Sequence, residues 1–294
     1  MCLMYSVLYK HTKENFFTQR KRTMREFFGL SSNGSGGYTY LRSAEGAWSW
    51  QHILQVSILM VLMVALAIFF GKRNKNKTEK EKNKVLIASA IMINSFEIVK
   101  IIVLCIRCQN PFQWLYVLPL FLCSIQLIAI PMAAFCKGRV KEACLDFVLT
   151  FGILGAVFGT VGATQNYGAY PVFSMDNVFS GVTHSISGFA SLYIAISGLI
   201  SMKKENYWIT LCILLGFAVM AYVANVTIGY NYMFLMYHDG TPYSILYNLV
   251  GGNPVIYPIM VVFIFVVYIT LFYTIYLTSK KKSIRPAQNK QLSF

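Results

Sequence analysis

Charge is scarce in this sequence, and acidic charge most of all. Asp and Glu total 11 of 294 residues, and charged residues make up 13 % of the chain. A soluble domain carries roughly 25 % charge, so this chain has too little to coat a globule of its length in water. Hydrophobic residues reach 56 % and mean hydropathy is +0.53, which excludes an intrinsically disordered chain. Several signatures are missing as well: no P-loop, no GxGxxG after a strand, no HExxH and no GxSxG. Their absence removes the mechanisms those motifs serve. No internal repeat is visible. The class left is an all-α polytopic membrane protein.

Basic residues number 26, for a net charge of +15. Such a balance can signal nucleic acid. In a chain this apolar it points instead to loops facing anionic lipid, and no nucleic-acid partner is expected. The seven Cys are odd in number and lie mostly in or beside apolar runs, which argues against a secreted disulfide framework. Cys105 and Cys108 form a single CxxC without the two further ligands zinc needs. No metal and no cofactor is expected.

A bilayer core takes about 20 apolar residues per helix. Seven stretches qualify: 52–71, 85–105, 115–136, 146–164, 179–200, 209–229 and 255–277. A span must satisfy its own backbone, so all seven are expected to be helices. Seven basic residues fall in the loop 72–84. Lys137, Arg139 and Lys141 follow span three, Lys203 and Lys204 follow span five, and Lys280, Lys281, Lys282, Arg285 and Lys290 follow span seven. The alternate loops hold only Arg107. This asymmetry predicts a seven-helix bundle with its N-terminus outside and its C-terminus in the cytoplasm.

The N-terminal segment conflicts with that topology, because Lys10, Lys13, Arg20, Lys21, Arg22 and Arg25 fall on the outer side. A translation start at Met24 would remove five of the six, and residues 1–23 are expected to be absent from the native protein. The division expected is an extension and linker over 1–51, a membrane domain over 52–278 and a basic tail over 279–294. Residues 31–37 (SSNGSGG) read as flexible linker, and Trp48 and Trp50 mark the interface.

Ionisable groups inside spans are costly, so each one is a candidate site. Glu97 and Lys100 lie three apart on one face of span two, as a local ion pair or the lining of a cavity. His52 opens span one and could line a path with them. Asp146, at the cytoplasmic end of span four, is expected to be solvated or capping. Cys123 in span three and His184 in span five both fall in the outer half of the bilayer. They are a candidate nucleophile and base. Gly152, Gly155, Gly159 and Gly162 line one face of span four at helical spacing, a packing face or room for an acyl chain. Asn225, Asn231 and Tyr232 cluster at the outer end of span six, set to bind backbone or a lipid headgroup.

The segments LPLFLCSIQLIAIP (118–131), FSGVTHSISGFASLYIAI (179–196) and NVTIGYNYMFL (225–235), with Pro242 and GGNP (251–254), resemble the YwaF family of bacterial integral membrane proteins. The resemblance covers about residues 45–278 and implies a multi-pass protein of the bacterial plasma membrane. Eukaryotic relatives include a transmembrane acyltransferase acting on ether phospholipids, which uses a Cys on an early span and a His on a later one. Carried over by motif, those positions are Cys123 and His184. Many bacterial members carry a polar residue two positions before the Cys, where this chain has Phe121. The implied chemistry is acyl transfer from a phospholipid or acyl-lipid substrate, with Gln126, Asn231 or Tyr232 as oxyanion donors. The competing expectations are a transporter or small-molecule-binding protein, for which Pro119 and Pro131 in span three speak, and a non-catalytic scaffold.

Overall fold

The computed structural model describes residues 19–199 and 202–291, with side chains given through Lys280. Residues 1–18, where most of the segment expected to be absent lies, fall outside the described residues. A helical stretch over 19–27 and a short antiparallel pair, β1 (Ser31–Ser32) and β2 (Tyr38–Thr39), precede the numbered helices. The helices are α1 (Trp50–Asn74), α2 (Glu79–Arg107), α3 (Gln126–Phe135), α4 (Gly138–Thr160), α5 (Thr164–Ala169), α6 (Met175–Ser197), α7 (Lys204–Ile228), α8 (Ser244–Leu249) and α9 (Ile256–Gln291). Five of them, α1, α2, α4 (continuing to Ala169), α7 and α9, are long and apolar enough to cross a membrane.

Helix α6 has 23 residues, about 34 Å at 1.5 Å per residue, but carries Ser, Thr, Asn and His along its length. It can do so because it sits inside the bundle, packed against α1, α2 and α4, and its hydroxyls bond either its own carbonyls, as Thr183, Ser185 and Ser187 do, or a neighbouring helix. Ser191 Oγ donates to the Leu149 carbonyl of α4 at 2.7 Å. The lipid-facing helices show the reverse pattern. Val61 and Leu62 of α1, Val219 and Val223 of α7 and Phe263 and Ile275 of α9 expose large apolar side chains. A water-soluble monomer does not display apolar surface on this scale.

Cross-helix bonds separate two ends of the bundle. At the basic end, Lys141 of α4 pairs with Glu79 of α2 (2.8 Å), Lys203 before α7 pairs with Glu142 (3.0 Å), and Arg139 donates to the Glu205 carbonyl. At the other end, Arg107 closes α2 against Asp176 at the start of α6. The Val172 N–H there binds Glu45 of the N-terminal segment. This second region is the Arg107 end.

The third expected span departs most from the sequence reading. Residues 115–136 do not form one helix. A 3-10 turn (Gln113–Tyr116) gives way to irregular chain over 117–125, and helix geometry resumes only as α3, 10 residues long. The physical reason begins with Pro119, which has no N–H and biases the residue before it away from helix. Pro131 inside α3 removes the donor for the Leu127 carbonyl, and Asn94 Nδ2 of α2 supplies one instead at 3.2 Å. Asn83 Nδ2 binds the Ala134 carbonyl at 2.6 Å. Two asparagines of α2 thus hold the short helix near both ends.

The glycine stripe of span four is a packing face. A Cβ at Gly152 would stand 2.6 Å from the Ser187 carbonyl oxygen of α6. Gly152→Ala is therefore expected to destabilise the protein by about 1–3 kcal/mol, the usual cost of overpacking. Gly155→Ala, whose nearest neighbour would be 3.4 Å away, should change little. Thermal unfolding of the two variants in detergent compares them directly. Gly162 lies beyond the end of α4 and does not continue the stripe.

Candidate functional site

Helix α4 organises the site. Cys123 in the irregular segment rests on Gly155, with its Cβ 3.4 Å from where a Gly155 Cβ would stand. The His184 ring of α6 lies directly over Gly159, in the space a Cβ there would fill. Gly155 and Gly159 are one turn apart on one face, about 6 Å along the axis. Cys123 and His184 therefore occupy successive steps of the same groove, with His184 nearer the Arg107 end. Both are half-buried. Among the described residues, no hydrogen bond engages the His184 ring or joins it to the Cys123 sulfur.

The thiol sits where helix geometry begins. The Ile125 N–H bonds back to the Phe121 carbonyl (3.0 Å), and Phe121 and Ser124 bond reciprocally through the Ser124 hydroxyl. Among the described residues, no oxygen acceptor takes the N–H groups of Leu122, Cys123 or Ser124, and those of Cys123 and Ser124 face the Cys123 sulfur. N–H groups without an oxygen acceptor at the start of a helical turn are suited to holding developing negative charge. Gln126, one turn on, is fully buried, and neither its Oε1 nor its Nε2 has a partner among the described residues. Of the expected oxyanion donors it alone keeps its polar atoms unspent.

The other expected donors build the chain around Cys123. The Tyr232 hydroxyl donates to the Leu115 carbonyl (2.5 Å) and accepts from the Leu118 N–H (3.1 Å). Asn225 of α7 brackets Tyr232, accepting from its N–H (2.5 Å) and donating to its carbonyl (3.0 Å). Asn231 closes the next turn, donating to the Tyr237 carbonyl and accepting from the Met236 N–H. Met233 and Phe234 are both held at positive φ (54° and 56°), a strained arrangement for non-glycine residues. Phe121 fits this assembly, its ring packed against Tyr230, Tyr232 and Phe234. Of the two roles expected for Tyr232, backbone binding is the one its hydroxyl takes here, used on both sides as a clamp. Tyr232→Phe keeps the ring but leaves two backbone groups unpaired, an expected cost of about 1–3 kcal/mol. It should also speed maleimide labelling of Cys123 by loosening the segment, which thiol-labelling kinetics would record.

Two expectations are corrected. His52 lines no path. It is buried, with Nδ1 accepting from the Trp48 N–H (2.9 Å) and Nε2 facing the Thr160 carbonyl (3.3 Å), and so fastens α1 to the end of α4. Asp146 is not solvated but fully buried. Its Oδ2 accepts from Asn206 Nδ2 (3.1 Å) and from the Tyr273 hydroxyl (2.9 Å), which ties α4 to α7 and α9.

Glu97 and Lys100 do form an ion pair, with the ammonium 2.6 and 2.7 Å from the two carboxylate oxygens. Lys100 also lines a cavity of about 510 Å³ toward the Arg107 end, together with Tyr116, Tyr170, Asp176, Ser180 and Tyr230.

A second charged group went unrecognised in the sequence. Arg107 grips Asp176 with two N–H bonds (2.6 and 2.9 Å), and both side chains are nearly buried. The Tyr40 hydroxyl donates to the same carboxylate and accepts from Arg107. Burial and the facing Asp176 carboxylate raise the Tyr40 hydroxyl well above the ordinary tyrosine range. The signal was present: Arg107 is the lone basic residue in loops otherwise free of positive charge, and a buried guanidinium needs a carboxylate. Cys105 and Cys108 are free thiols. No three His, Cys, Asp or Glu side chains converge as metal ligands among the described residues.

A family model of transmembrane proteins, the TMEM164 family, matches residues 47–277, which include Cys123, His184 and all but the end of the last helix. The chain belongs to the TMEM164 family. No curated protein and no solved structure matches it. The matched region begins just before Trp50. The N-terminal residues that bear Tyr40 and Glu45 therefore lie outside the part the family model covers.

Proposed function

We propose that this TMEM164-family protein is a membrane-embedded acyl-transfer catalyst acting on a lipid ester, with Cys123 as nucleophile and His184 as base. The observation that carries the reading is the seating of both side chains on successive turns of the α4 glycine groove. His184 takes the thiol proton, directly or through one water, and the thiolate attacks the ester carbonyl. The tetrahedral oxyanion draws on the N–H groups of residues 122–124 and on the Gln126 amide. Collapse breaks the ester C–O bond, and His184 returns the proton to the departing alcohol, leaving a Cys123 thioester. A lysolipid hydroxyl or water, deprotonated by His184, then takes the acyl group and restores the thiol. With the basic loops in the cytoplasm, the site opens toward the outer leaflet.

The test is thioester capture. Purified protein incubated with phospholipid carrying a labelled acyl chain should retain the label on Cys123 and release it with neutral hydroxylamine. No label in the wild type, or equal label in Cys123→Ala, would overturn the reading. A second reading is favoured by one feature: the unwound stretch 117–125 between two helical pieces resembles the broken spans that carry transporter sites. Solute flux in proteoliposomes without any acyl capture would favour that alternative.

A further inference from the structure

The segment ahead of α1 makes contacts that neither the bundle nor the acyl-transfer chemistry uses. We propose that residues 25–45 are a hinged strap that closes the Arg107 end and must lift before water-borne molecules reach the Cys123 thiol. The proposal rests on the acyl-transfer reading only for the choice of Cys123 as the group covered; the strap and its anchors stand on their own contacts.

The strap is tied to itself first. The Glu26 carboxylate accepts from Ser31 Oγ (3.0 Å), the Leu41 N–H (3.0 Å) and the Arg42 N–H (2.9 Å). These bonds join the chain before β1 to the chain after β2, so residues 26–42 close into a loop of their own. Among the described residues, no side-chain hydrogen bond of Glu26 reaches the bundle. β1 and β2 have two residues each, and so small a hairpin is marginal in water unless it packs on something.

Tyr40 is the main anchor. Its hydroxyl donates to Asp176 and accepts from Arg107 (3.0 Å), and its ring meets Tyr170 at 5.9 Å and the Arg107 guanidinium at 5.2 Å. Gly29 lies so close that a Cβ there would stand 2.8 Å from Arg107 Nη1. Further along, Gln109 Nε2 donates to the Gly36 carbonyl (2.7 Å), and Glu45 accepts from the N–H of buried Val172 (2.7 Å). Tyr170 and Asp176, which Tyr40 touches, also line the cavity of about 510 Å³. So do Val117, in the segment that leads to Cys123, and Ser180, one turn before His184. The cavity thus lies between the strap's seat and the two elements that carry the thiol and the imidazole.

Lifting costs the bundle little. With Tyr40 out of its seat, Arg107 still holds Asp176 by two N–H bonds (2.6 and 2.9 Å), so no buried charge is stranded. A pivot is in place. Gly46, between Glu45 and α1, stands at φ 90° with open space where a Cβ would be. A glycine so placed absorbs the backbone change of a hinge. Within residues 25–45 only Gly29 and Ser31 are buried. A segment with so little burial, held by polar anchors that water can replace, opens at far less cost than global unfolding.

Full-length protein in detergent is treated with a small, charged methanethiosulfonate, which reaches a thiol only through water. Modification of Cys123 is read by peptide mass spectrometry, and hydrogen exchange of the 38–46 and Val172 amides reports lifting. Tyr40→Phe removes the hydroxyl and keeps the ring. It should speed both readouts about tenfold, the equilibrium factor for one hydrogen bond to a charged group. Glu26→Ala loosens the strap from within and alters no group that lines the cavity. It should act in the same direction, and it decides the matter if Tyr40→Phe does not fold. Faster exchange of the strap with unchanged Cys123 modification overturns the proposal. Slower modification overturns it too, by making the strap part of the site rather than its cover. Variants in which neither readout changes show that these contacts do not hold the segment, which is equally fatal. The thiol reaction needs no turnover. Wild-type protein that never forms a thioester, beside variants that still gain Cys123 modification, removes the acyl-transfer reading and leaves the strap standing.

Discussion

Cys123→Ala is expected to abolish acyl capture and to lower any lipid acyl transfer by at least about 10³-fold, in line with losses seen when a covalent nucleophile is removed. The fold should survive. Cys123 is half-buried and sits in an irregular segment held by its neighbours' bonds, through Ser124, Leu118 and Leu115, rather than by its own sulfur. Transfer of labelled acyl chains, measured beside a thermal melt in the same detergent, separates chemistry from stability. Cys123→Ser is the sharper companion. A hydroxyl is a poorer nucleophile without a stronger base, so it should also lose most activity while keeping the shape of the site. Unchanged transfer in both variants would end the role given to this residue.

The second large effect concerns stability. Arg107→Ala should destabilise the protein by about 3–5 kcal/mol, because it strands the Asp176 carboxylate in a nearly buried position with the Tyr40 hydroxyl as its remaining side-chain partner among the described residues. Replacing both partners together, Arg107→Met with Asp176→Leu, should recover much of the loss, since no unpaired charge remains. Denaturation of the three proteins in one detergent completes a double-mutant cycle. A double variant no more stable than Arg107→Ala would show that the pair does more than cancel its own charges.

How much of this was legible depends on which physical signal each feature leaves. Hydrophobic runs long enough to cross a bilayer identify α1, α2, α4, α7 and α9 well. They also locate α6, whose Ser and His residues only later make sense as contacts to neighbouring helices. They fail on span three, because an apolar run looks the same whether its backbone is coiled or unwound. Pro119 and Pro131 were visible, but the replacement donors, Asn94 for the Leu127 carbonyl and Tyr232 for the Leu115–Leu118 chain, come from distant parts of the sequence. Candidate chemistry was legible as residue types, Cys123 and His184. Their shared seat was half-visible as the glycine spacing of span four. His52 and Asp146 were misread for one reason: a polar residue near a span end carries no mark of whether water or a buried partner satisfies it.

Cys123 and His184 lean on α4 rather than on each other. If that helix leans further over to suit a thinner or thicker host bilayer, thiol and imidazole travel together, and their separation stays the same while their depth changes. Host membranes of different thickness would then present a different carbon of the acyl glycerol backbone to an unaltered pair, so that regiochemistry rather than turnover would track lipid composition.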